Sequence, residues 1–211
     1  MSEVIPNSNK YYPNKFGRFF LASLQETVIE DGYIKLLERA GVAQYAKRLP
    51  EDNWAREFDF AIIARLNQGL YELFGPRGGR RLALRTGSGF FRAGLGEVGD
   101  LAGITDLAHR SLPLQMKLQQ GLTAVARTFS QTSDQTTWLE VQEMRLLYFV
   151  DPCPVCWQQS AASPICTITT GFLQELLSWL SDGQNFRVQQ TACKAMGGEN
   201  CLFRIDRGAI K

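Results

Sequence analysis

At 211 residues the chain is long enough to bury a sizeable core and sits near the upper end of what one domain occupies. Hydrophobic and charged fractions of 45% and 21% are those of an ordinary globular protein, which excludes disordered, fibrous and membrane classes. A formal charge of +2 is too small to build the positive field of a phosphate-tracking surface, so no nucleic-acid partner is expected.

The opening MSEVIPNSNKYYPNKFGRFF has no charged-then-apolar leader pattern. No later stretch reaches the roughly 18 apolar residues of a membrane span. The expectation is a cytoplasmic protein with no membrane span.

Residues 1–14 are polar, with two prolines and two tyrosines, and read as a flexible arm ahead of a single domain over 15–211. Phe20, Leu21, Leu24 and Val28 recur at helical spacing, and Ile34, Leu36 and Leu37 continue on a second short helix that Gly41 stops. Between Trp54 and Phe74 an apolar stripe of Phe58, Ile62, Ile63, Leu66, Leu70 and Leu73 predicts a helix, ended by the breaker Gly75-Pro76-Arg77-Gly78-Gly79.

The segment from Arg81 to Gly103 carries six glycines among apolar residues and fits either a short helix or glycine-punctuated loops. A further helix is predicted from about Pro113 to Phe129.

Trp138–Gln142 and Arg145–Val150 have the aromatic and aliphatic content of two strands. Gly171–Leu180 reads as a helix. Alternation over Phe186–Ala192 and Cys201–Asp206, separated by Gly197-Gly198, reads as a terminal hairpin. Helices, two strands, a helix and two strands give an α/β (α+β) domain with an antiparallel sheet packed against helices.

All five cysteines, Cys153, Cys156, Cys166, Cys193 and Cys201, fall in the last third of the chain. A disulfide-scaffolded domain does not distribute them so. A hairpin turning through Met196, Gly197 and Gly198 would set Cys193 opposite Cys201, with Cβ atoms about 4.5–5.5 Å apart. That is close enough to share a tetrahedral zinc through bonds of about 2.3 Å, and close enough for a redox-sensitive disulfide. Spacing does not choose between them. Cys153-Pro154-Val155-Cys156 directly follows a strand and suits zinc binding or thiol exchange. The loop-like WQQSAASP after it argues against a thioredoxin-type site.

The stretch CPVCWQQSAASPICTITTGFLQELLSWLSDGQNFRVQQTACKAMGGENCLFRI resembles the vinyl-4-reductase (V4R) domain family. The specific features are PIC followed by Gly171, the helix with Trp179, and the TAC-x-A-x-G-G-x-x-C-x-F-x-I ending. Upstream the resemblance rests on element order and on FGRFFLASLQETV.

The resemblance implies the α/β fold of ligand-sensing modules of aromatic-responsive activators, of Golgi-transport subunits and of a bacteriochlorophyll-biosynthesis protein, and it implies a homodimer. It also implies a structural zinc on cysteines matching Cys166, Cys193 and Cys201, with a glutamate three residues before the middle one. Here that position is Gln190. An amide oxygen is a poorer zinc ligand than a carboxylate, so Cys156 or Cys153 supplies the fourth bond, or zinc is weak or absent. Buried free thiols remain the alternative.

Large aromatics beside glycines suggest a cavity between helices and sheet, lined by Phe90, Phe91, Trp138, Tyr148 and Phe149, with Arg85 or Arg92 orienting a carboxylate at its mouth. His109, the sole histidine, reads as a surface residue in a polar loop. Arg77, Arg80 and Arg81 read as a solvated turn. The Gly87-Ser88-Gly89 and Gly94-Leu95-Gly96 runs lack the spacing of a dinucleotide loop.

The leading expectation is a sensor, carrier or accessory domain for a small apolar or aromatic molecule, such as a tetrapyrrole precursor. The alternatives are a 4-vinyl reductase or accessory factor of bacteriochlorophyll biosynthesis, and a dimeric interaction module.

Overall fold

The computed structural model describes residues 5–210, with Leu107 by its backbone alone. The chain enters through β1 (Tyr11–Pro13), antiparallel to β2 (Arg56–Asp59). The 1–14 segment is therefore docked over its described part, where a flexible arm was expected. Ile5 and Tyr12 are buried. The Asp59 carboxylate accepts from the Ser8 N–H at 3.0 Å and the Ser8 hydroxyl at 2.7 Å, and caps the following helix through the Ala61 N–H at 2.7 Å. Nothing in the arm's own composition announces this partner, because it lies some fifty positions away.

α1 (Asn14–Thr27) and α2 (Glu30–Arg39) follow the predicted apolar stripes. α3 (Phe60–Ala102) breaks at Gly75, where the sequence places its breaker, and resumes beyond it, while residues 56–59 form β2 instead of the first turn of the helix. Gly75 turns the chain in the left-handed region, at φ 70°, and Pro76 restarts the helix with its φ already set. The Arg81–Gly103 segment thus becomes the second half of α3, although its glycines disfavour helix intrinsically. After α4 (Leu107–Arg110) and α5 (Leu114–Thr132) come β3 (Thr136–Val141) and β4 (Arg145–Asp151), then α6 (Thr167–Leu180), β5 (Phe186–Ala192) and β6 (Cys201–Ala209).

The last four strands form one antiparallel sheet in the order β3-β4-β6-β5. Its inner face presents Leu146, Tyr148, Val150, Phe203 and Ile205, all buried in the core shared with the helices. The fold is α+β, with the sheet antiparallel throughout.

The glycines of α3 are explained by close helix crossings. A Cβ on Gly87 would lie 1.9 Å from the Ile168 carbonyl oxygen, and one on Gly171 would lie 2.1 Å from that of Leu84. α3 and α6 therefore meet backbone to backbone. One face of α3 also closes on α1, where the Ser23 hydroxyl donates to the Thr86 carbonyl at 2.7 Å, and a Cβ on Gly89 would strike that hydroxyl at 2.2 Å.

Gly96 on the same helix is exposed and has nothing within 4 Å. Gly87→Ala is expected to destabilise the protein by about 3 kcal/mol, through overpacking against rigid backbone. Gly96→Ala is expected to stabilise it by about 0.5–1 kcal/mol through helix propensity alone. Urea denaturation of the two variants checks the opposite signs.

Candidate functional site

Each cysteine is set in place by the end of a regular element. β4 delivers Cys153 and Cys156 to a 3-10 turn, Pro154–Cys156, in the loop that follows it. Cys166 is the N-cap residue of α6. Cys201 opens β6, and Cys193 follows β5. Pairing of Ala192 with Leu202 carries the hairpin register on towards Cys193 and Cys201, and a 3-10 turn, Lys194–Met196, with Gly197 at φ 85° reverses the chain.

All five thiols are free and buried. Sulfur separations are 3.5 Å for Cys153–Cys166, 3.4 Å for Cys156–Cys201, and 3.7 Å for both Cys166–Cys193 and Cys166–Cys201. The sulfurs of Cys153, Cys156, Cys166 and Cys201 all lie within 4.8 Å of one another.

Four thiolates bound tetrahedrally at about 2.3 Å stand about 3.8 Å apart, so these separations are those of donors around a single ion. Hydrogen bonds from Cys153 and its three other thiol neighbours hold Cys201 far below the usual thiol range. Contacts with Cys156 and Cys166 bring Cys193 down to about 6. The contact with Cys153, followed by those with the other thiols, raises Cys166. Contact among the thiols thus pushes some of them up and others down, and the thiolate is the form that binds a metal. These four buried cysteines could hold a metal ion.

Gln190 stands beside the cluster with its amide already engaged. Its Oε1 accepts the Cys166 N–H at 3.0 Å and its Nε2 donates to the Ala192 carbonyl at 3.2 Å.

An apolar cavity adjoins the cluster. It lies between the inner sheet face, at Thr137, Tyr148 and Val150, and the helices, at Phe20, Ile63, Phe90, Phe129, Ile168 and Phe172. Tyr12, Gln135, Pro154, Val155 and Thr169 complete the wall. It offers about 40 Å³ to the centre of a water-sized sphere. A smaller pocket of about 20 Å³, between Phe91, Gly94, Leu95, Val98 and Val125, shares Phe90, Phe129 and Phe172 with it. Those three rings pack tilted or edge to face, at centroid distances of 5.5–6.5 Å.

The polar groups are few. The Tyr12 hydroxyl donates to Gln135 Oε1. The Thr137 hydroxyl is buried without a hydrogen-bond partner. Burial lifts the phenols of Tyr12 and Tyr148 above their usual range.

The expected ligand set divides. Phe90 and Tyr148 line the main cavity, and Phe91 lines its neighbour. Trp138 and Phe149 are directly paired across β3 and β4 and stack at 4.7 Å on the outer face of the sheet. The strand alternation that turns Tyr148 and Val150 inward turns these two away from the cavity. Arg92 is exposed and paired with Glu175 at 3.0 Å, and Arg85 is exposed. Neither stands at the cavity.

Sequence reasoning missed Tyr12, Gln135, Thr137, Phe129 and Phe172 as lining residues. Thr137 alone had a usable signal, since it opposes Val150 and falls on the inner face by alternation.

The geometry is that of an α+β domain with a small apolar cavity and a buried thiol cluster joined to its wall through the Cys153–Cys156 turn. The same fold occurs in an H-NOX protein from S. oneidensis, solved in the Fe(II)NO ligation state, at 11% identity and TM-score 0.57 over 92% of this chain and 98% of that one. It also occurs in the phenol-responsive sensory domain of the transcription activator PoxR, solved with phenol, at 17% identity and TM-score 0.50 over 72% of this chain and 77% of that one.

Residues 146–207 match the model of the V4R domain family. The match spans β4, the cysteine turn, α6 and the terminal hairpin. No curated protein matches the sequence. Among the described residues no helix is long and apolar enough to cross a membrane.

Thr137→Val replaces an unpartnered buried hydroxyl by a methyl group of the same shape. It is expected to raise the stability of the ligand-free protein by about 1 kcal/mol, as read from the shift of the urea midpoint at constant m-value.

Proposed function

We propose that this chain is a small-molecule-binding domain whose core cavity takes an aromatic ring bearing one hydrogen-bonding group, and whose cysteine cluster holds a structural zinc. The observation that carries the ligand reading is the cavity's composition. Apolar walls surround a buried Thr137 hydroxyl with no partner, and the Tyr12–Gln135 pair lies among the same lining residues. An apolar site with a few convergent polar groups is the usual form of a ligand pocket. A ring carrying one hydroxyl would satisfy Thr137 and bury its remaining surface. Phenol, the molecule named with the PoxR domain, has that chemistry.

At about 40 Å³ the cavity is smaller than the roughly 150 Å³ that houses benzene in an engineered core. Binding therefore needs Phe90, Phe129 and Phe172 to shift and open the neighbouring pocket. The cavity lining contains neither histidine nor cysteine, and His109 lies on α4.

For the cluster, four soft donors at single-ion spacing favour zinc over hard cations. Cys153, Cys156, Cys166 and Cys201 form the set with the tightest mutual spacing, and Cys193 is a fifth thiol beside Cys166.

Calorimetric titration of the zinc-loaded protein with phenol is expected to show one saturable site, weakened about tenfold by Thr137→Val through loss of one hydrogen bond. No saturable binding of phenol, 4-ethylphenol or indole would end the ligand reading.

Native mass spectrometry is expected to find one zinc per chain. Cys193→Ala should retain it and a Cys166→Ala/Cys201→Ala double variant should lose it. Metal-free wild-type protein, expressed with zinc and purified without chelators, would end the zinc reading.

A further inference from the structure

The Cys153–Cys156 turn belongs to two sites at once. Its ends reach the cluster, Cys153 at 3.5 Å from Cys166 and Cys156 at 3.4 Å from Cys201. Its middle residues, Pro154 and Val155, form one wall of the cavity. The other polar restraints on that turn come from the side chains of Asn67 and Gln159 and from the Gln159 N–H, which donates to the Cys156 carbonyl at 3.2 Å. The Asn67 amide on α3 reaches the Val155 and Ile165 carbonyls at 3.3 Å each, near the long limit of a hydrogen bond. The Gln159 amide donates to the Val155 carbonyl at 2.9 Å from the loop beyond. The Gln190 side-chain oxygen accepts the Cys166 N–H.

We propose that metal occupancy of the cysteine cluster and ligand occupancy of the cavity are coupled through the Cys153–Cys156 turn, so that each raises the affinity for the other. This rests on the binding reading above. Tying both ends of the turn to one ion fixes the backbone that shapes the cavity wall, so a ligand meets a surface already ordered. A ligand packed against Pro154 and Val155 holds the two cysteines in place in the same way. The conformational entropy of ordering the turn is then lost once rather than twice, and linkage requires the effect to be reciprocal.

The experiment uses the zinc-loaded full chain and follows the transfer of zinc to a colorimetric chelator with and without saturating phenol, so no metal-free protein has to remain folded. Phenol is expected to raise the apparent zinc affinity about tenfold, within the usual range of site–site coupling. Two variants locate the path. Cys153→Ala/Cys156→Ala/Gln190→Glu leaves Cys166, Cys193, Cys201 and a carboxylate as donors and frees the turn; it should bind zinc and phenol with no influence of one on the other. Pro154→Gly keeps all five thiols and loosens the wall, and should reduce the coupling to below about threefold.

Zinc transfer unaffected by phenol in the wild type, while calorimetry shows phenol bound, overturns the coupling and leaves the binding reading intact. Absence of phenol binding overturns both. Undiminished coupling in Pro154→Gly, or in the triple variant, assigns the effect to overall stability rather than to the turn and overturns the proposal.

Discussion

The backbone contact between α3 and α6 is the constraint on which the rest of the structure depends. With Gly87 against the Ile168 carbonyl and Gly171 against that of Leu84, the two helices are locked in register and in distance. The start of α6 is thereby fixed. Cys166 caps it, Ile168 lies two residues in, and Phe172 follows one turn later. Thiol cluster, cavity wall and aromatic partition are thus all placed by one crossing, at the expense of helix propensity along α3. An alanine at either contact would push α6 off α3 and loosen all three.

A second constraint acts through the sheet. β4 is central, paired with β3 on one side and β6 on the other. Its inward residues Tyr148 and Val150 form the cavity floor, and its C-terminal end leads directly into Cys153. The partner strand β6 begins at Cys201, opposite Val150. Cavity and cluster are therefore neighbours by topology. The chain moves from one to the other within a few residues at two places, after β4 and at the start of α6.

The interior is mostly apolar, and its few polar groups divide by role. Asp59 is fully engaged in capping α3 and gripping Ser8, which makes it architectural. Asn67 bridges the two cysteine-bearing segments. The Thr137 hydroxyl has no partner. An unpartnered buried hydroxyl costs stability in the empty protein, a cost that a hydrogen-bonding ligand would remove.

The class of the fold and the region that carries the thiols were legible in the amino-acid order, whereas the four-thiol set with Cys153 in place of Cys193 was not. Period-3.6 stripes gave α1, α2 and α5, alternation gave the terminal hairpin, and the spacing of the cysteines, with the TAC-x-A-x-G-G-x-x-C pattern, marked the region that matches the V4R domain. These features are local, and local periodicity follows from which face of an element is buried.

The remaining features come from packing between distant segments. It made a glycine-rich segment helical, because the partner backbone that requires those glycines lies on α6, about eighty residues away. It docked the first strand through Asp59, and it placed Thr137 and Tyr12 in the cavity. It sent Trp138 and Phe149 to the outer face of the sheet. A cavity is a gap between elements distant in the chain, and no local pattern encodes the space that other elements leave empty.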